Sequence, residues 1–140
     1  MKLGMHTVKT WASTQASVVL SSGEAEYSAA VKGCSQALGF AALLSDLGVP
    51  DLPVEVQCDP SAAIGIANRT GLGKVRHIAV HLWLQGKVRN KAVSLIKIDG
   101  SKNPADLFTK YLDGTLVDRC TSELGMTVEL GRSGAAPALQ

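Results

Sequence analysis

The stretch that most constrains the fold opens with Ser21-Ser22-Gly23-Glu24-Ala25-Glu26-Tyr27-Ser28-Ala29-Ala30 and predicts the longest helix of the chain. Ser21 suits the N-cap, and Glu24, three residues on, can reach back to the cap N–H as a capping box. From Tyr27, apolar residues recur at Val31, Cys34, Leu38, Ala41 and Leu44, one face of a 3.6-residue helix. A second stripe, Glu26, Ala30, Gly33 and Ala37, runs beside it and is small except for the acid. Small residues let a helix lie close against a sheet, so Glu26 is expected at the mouth of a tight contact. Glu24 has a structural task. Glu26 is either a first-turn acid favoured by the helix dipole or a functional carboxylate. The helix is expected to end at Gly48, with Pro50 and Pro53 preventing continuation.

Around that helix the pattern alternates strands with helices. His6–Ala12 reads as a short strand after Met1–Gly4, a tail ending in a turn-forming glycine. Val54–Cys58 reads as a second strand with Asp59 at its carboxyl end. Pro60 then opens a helix carried by Ala62, Ala63, Ile64 and Ile66 to about Gly71. Strand, acid, helix is the layout in which α/β proteins place chemistry, although Asp59 is also a good helix cap. Gly71–His77 is a basic, glycine-containing loop leading to a helix over Ile78–Asn90, and Ala92–Ile98 reads as a third strand. Asn103 and Pro104 open a short helix through Tyr111, in which Asp106 falls where a capping-box acid sits. Thr115–Leu124 reads as a last helix ending at Gly125. The Gly/Ala/Pro-rich end is expected to be disordered.

Composition excludes little. A length of 140 residues suits one domain, and 46% apolar residues can fill a core. The net charge of +2 makes no case for a polyanion partner by itself. Arg69, Lys74, Arg76, Lys87, Arg89 and Lys91 nevertheless concentrate positive charge in one third of the chain, which is either a solvated face or a track for phosphates. Cys34, Cys58 and Cys120 have no metal-ligand spacing and are odd in number, which favours buried thiols in a reducing, intracellular compartment. His77 and His81 lack a third ligand or an H-E-x-x-H pattern, so a zinc site there is not supported. No signal-peptide pattern and no membrane-spanning apolar run occurs, so no membrane partner is expected.

Glu26, Asp59 and Asp106 each have a structural explanation, yet together they are what a divalent-cation cluster requires: hard oxygens from well-separated chain positions. Four blocks occur in order: Val19-Leu20-Ser21-Ser22-Gly23-Glu24-Ala25-Glu26-Tyr27, Cys58-Asp59-x-Ser61-Ala62-Ala63, Lys74-Val75-Arg76-His77-Ile78, and Asn103-Pro104-Ala105-Asp106-Leu107-Phe108-Thr109-Lys110. This series resembles the ribonuclease H domain of copia-like LTR retrotransposon polyproteins, over about His6–Leu112. The resemblance implies an α/β, ribonuclease H-like mixed sheet flanked by helices, and an endonuclease cleaving the RNA strand of RNA/DNA hybrids with Mg2+ or Mn2+. It implies Glu26, Asp59 and Asp106 as metal-binding catalytic carboxylates. Lys74, Arg76, His77, Lys87 and Arg89 then become candidates for the nucleic-acid backbone. The partners it implies are the hybrid, whose RNA strand offers 2′-OH groups, and an upstream reverse transcriptase portion of the polyprotein.

The chain also departs from the pattern. The family's first two strands, with a further catalytic aspartate, are expected to be missing, and no acid within residues 1–20 replaces it. Pro60 stands where Asn or Ser is usual, and Ile98–Lys102 holds no counterpart of the histidine found near the last acid in cellular relatives. In the family's 3-2-1-4-5 sheet the missing strands lie between His6–Ala12 and the other two. His6–Ala12 is therefore expected to lack its partner, and Val54–Cys58 to have an open edge. The expectation is a truncated ribonuclease H-like domain over 1–125 with a disordered tail over 126–140, binding cation weakly. The alternative is a catalytically dead remnant that at most binds nucleic acid or a protein.

Overall fold

Ser21 starts the first helix as the capping pattern predicts: its backbone is extended (φ −153°, ψ 158°) and its hydroxyl accepts the Glu24 N–H at 3.3 Å. The computed structural model describes residues 1–14, 21–49, 51–59, 61–68, 80–127 and 131. The chain is mixed α/β and divides into two compact units, Ala12–Asn103 and Met1–Trp11 with Pro104–Gln140.

In the first unit, helix α1 (Ser22–Asp46) buries Glu24, Tyr27, Ala30 and Cys34, a single stripe confined to its amino-terminal half. Strand β3 (Glu55–Cys58) pairs in parallel with β4 (Ser94–Lys97), Glu55 opposite Ser94 and Cys58 opposite Lys97. The ladder extends one bond each way, from Ser94 N–H to Val54 O at 2.9 Å and from Ile98 N–H to Cys58 O at 3.0 Å. Along β3 Val56 and Cys58 are half-buried while Glu55 and Gln57 are exposed, the alternation of a sheet covered on one face. Helices α2 (Ser61–Asn68) and α3 (Val80–Arg89) complete the unit. The core joins Tyr27, Ala30 and Cys34 of α1, Ala63, Ile66 and Ala67 of α2, Leu84 of α3, and Val93 just before β4. Gln85 is buried among them and donates its side-chain amide to Ile66 O at 2.9 Å, tying α3 to α2. The expected strands 54–58 and 92–98 are present in shortened form. Beside β4 no further strand pairs with β3 among the described residues, so its other edge is open there.

The second unit corrects one expectation. His6–Ala12 is not one strand lacking a partner. Only His6–Thr7 is extended (β2), and it pairs antiparallel with Lys2–Leu3 (β1), the stretch expected to be a tail. Gly4 at φ +57° takes the first central position of a two-residue loop, as in a type II′ turn, so the chain closes on its nearest neighbour. The hairpin is hydrogen-bonded to the carboxyl end of α4 (Gly114–Glu123), which Asp113 caps by accepting the Leu116 N–H at 2.8 Å. Lys2 Nζ donates to Glu123 O at 2.8 Å and the Thr7 hydroxyl to Leu124 O at 2.7 Å. Two carbonyls that a helix end leaves without intrahelical partners are thus satisfied from the other end of the chain. The short helix expected after Asn103 is a 3-10 turn over Pro104–Phe108, a geometry used in such brief connectors. The expected tail beyond residue 127 lies outside the described residues, apart from Gly131.

Three helices end on the same paired hydrogen bonds. Gly48 at φ +87° and Gly125 at φ +65° close α1 and α4, and Lys91 at φ +57° closes α3 through Lys91 N–H to Val88 O and Ala92 N–H to Lys87 O, both 3.0 Å. A lysine pays a steric penalty in that left-handed conformation, so Lys91→Gly should stabilise the chain by about 1 kcal/mol in denaturant titration. Leu84, fully buried, should cost about 2–5 kcal/mol when cut to alanine, whereas Leu43→Ala, at a site 53% exposed, should stay within about 0.5 kcal/mol.

Candidate functional site

The candidate site grows from the contact between α1 and β3. A Cβ built on Gly33 would lie 3.9 Å from Val56 Cγ1, so the helix rides on the strand where its side chain is smallest. Beyond Gly33 the helix continues for thirteen residues, about 20 Å, before the chain returns to enter β3 next to that contact. Glu26 lies seven residues, about 10 Å, before Gly33 along the helix, and Asp59 three residues, about 10 Å, beyond Val56 along the strand. Seven residues are close to two turns, so Glu26 leaves α1 on the same face as Gly33. Glu26 is exposed, Asp59 is half-buried directly after β3, and Glu24 is buried at 7% exposure.

Asp59 sits against the loop that follows β4. A Cβ on Gly100 would lie 3.6 Å from Asp59 Oδ2, so only glycine backbone flanks the carboxylate on that side. One residue earlier, Asp99 caps the 3-10 turn Gly100–Lys102. The Ser101 N–H donates to Asp99 Oδ1 at 2.9 Å, and that bond, on a fully exposed group, holds the carboxyl below its usual range. The sequence carries the signal for this cap: an aspartate directly after a strand and two residues before a serine is an Asx turn.

Asp106 belongs to the other unit, where its Oδ2 pairs with Lys110 Nζ at 2.9 Å. Lys87 is half-buried and Arg89 exposed, both in the last turn of α3, where positive charge also suits the helix dipole. Lys74, Arg76 and His77 lie outside the described residues. Among the described residues of either unit, no three His, Cys, Asp or Glu side chains form a group that could hold a metal ion. Carboxylate oxygens are hard donors, but Glu26 and Asp59 belong to one unit and Asp106, already paired with Lys110, to the other.

All three cysteines are free. Cys34 is fully buried in the core, and burial first, then the neighbouring Cys58, pushes its thiol up to about 11. Cys58 is raised too, by burial and then by the charge of Asp59, which puts this strand's last thiol within electrostatic reach of the candidate carboxylate. No described helix is long and apolar enough to cross a membrane.

A mixed α/β chain with acids at the carboxyl end of a parallel strand pair is a frame that many hydrolases and binding proteins share. Its relatives narrow the class, for they are retrovirus-related Pol polyproteins from transposons. The chain is 31% identical over 114 residues to the Retrovirus-related Pol polyprotein from transposon TNT 1-94 of Nicotiana tabacum, covering 80% of this chain. It is 29% identical over 128 residues to that from transposon RE1, and 27% over 127 residues to that from transposon RE2, both of Arabidopsis thaliana, covering 89% of this chain in each case. The chain spans 9% of the length of each of these relatives. No family model and no solved structure matches it. These relatives support a retroelement origin.

The raised Cys34 thiol gives a pH-dependent expectation. Its pKa in the folded chain lies above the ordinary value of 9.0, so the unfolded chain loses this proton first as pH rises. Stability from this group is complete below about pH 9 and should fall between pH 9 and about 11. Iodoacetamide at pH 8 should alkylate Cys34 only after denaturation, as peptide mass spectrometry would reveal. Modification of Cys34 in the native chain as fast as in the unfolded one would contradict its burial.

Proposed function

We propose that this chain is a ribonuclease H-like portion of a retroelement Pol polyprotein, and that it acts on the RNA strand of RNA/DNA hybrids. What supports the reading is Asp59 at the carboxyl end of β3 in a parallel strand pair, with α1, the helix that carries Glu26, packed on that strand at Gly33 and Val56. Glu26 and Asp59 are the carboxylates that would hold a divalent cation from this unit, and Asp106 is the further ligand suggested by its place in the sequence. When bound, such a cation polarises a phosphodiester and favours ionisation of the attacking water. The protein's own part is to fix the carboxylates. Asp59 is held at a strand end beside Gly100, and Glu26 by the first turn of a helix whose cap is made by Ser21. Lys87 and Arg89, with Lys74, Arg76 and His77, are the proposed contacts to the nucleic-acid backbone, a sequence-independent and salt-sensitive form of binding. Residues contacting 2′-OH groups would separate RNA from DNA.

A second reading, a module that binds nucleic acid or a protein without cleaving, is favoured by one feature: among the described residues, no three candidate ligands form a group. A labelled RNA/DNA hybrid, incubated with the chain and Mn2+, distinguishes the two. Under the hydrolytic reading RNA fragments appear, and Glu26→Gln or Asp59→Asn lowers the rate by about a hundredfold or more, at the limit of what substitutions around metal sites cost. Glu24→Gln should keep the activity, because glutamine also fills a capping box. Equal loss from Glu24→Gln and Glu26→Gln would mean the wrong glutamate has been assigned. Salt-sensitive hybrid binding without fragments would favour the second reading, and neither binding nor fragments would overturn both.

A further inference from the structure

We draw no further inference here: the strongest candidate, the exposed apolar patch of Leu43, Leu47 and Val49 at the carboxyl end of α1, carries no proposal because nothing in the structure shows what covers it.

Discussion

The unit Ala12–Asn103 depends on the packing of α1 against β3 and α2 around one buried cluster. Where α1 meets β3, a Cβ on Gly33 would lie 3.9 Å from Val56 Cγ1, an ordinary van der Waals contact. Tyr27, Ala30 and Cys34 enter the same core as Ala63, Ile66 and Ala67 of α2.

The other unit is organised by unsatisfied carbonyls instead of an apolar cluster. Helix α4 ends at Glu123, and Glu123 O and Leu124 O receive Lys2 Nζ and the Thr7 hydroxyl. Charge and hydrogen bonding both favour the arrangement, since a lysine at a helix carboxyl end also opposes the helix dipole. A hairpin of two-residue strands is too small to be stable by itself, so its persistence depends on this docking. The first residues of the chain are consequently tied to a helix more than a hundred residues away, although neither segment carries a pattern pointing to the other.

Asp106 and Glu24 show how one residue type takes opposite roles by position. The sequence offered a capping-box explanation for each. Glu24 is buried in the first turn of α1, where the Ser21 cap is made, whereas Asp106 meets Lys110 one turn onward. Spacing alone could not distinguish a cap from an ion pair, because both need only an acid near a helix start. What differs is the cation four residues later, and that was present in the Asp106–Lys110 block all along.

The sequence by itself determined what depends on neighbours along the chain. The Ser21 cap, the Gly48 and Gly125 helix ends, the Val54–Cys58 strand with Asp59 at its end, and the apolar stripe from Tyr27 through Cys34 all follow from local sterics and periodicity. Only the tertiary structure decided how deeply α1 is buried along its length, since Tyr27 and Cys34 of the apolar stripe are buried while Leu38, Ala41 and Leu44 farther along it are half-buried. Helices α2 and α3 are short, eight and ten residues against twenty-five in α1, and cannot cover its full length. Tertiary structure also decided that Lys2–Leu3 is a strand and that β3 pairs with β4. Pairing is a choice among distant partners, settled by the turn at Gly4 and by the packing of α1, and no local pattern records it.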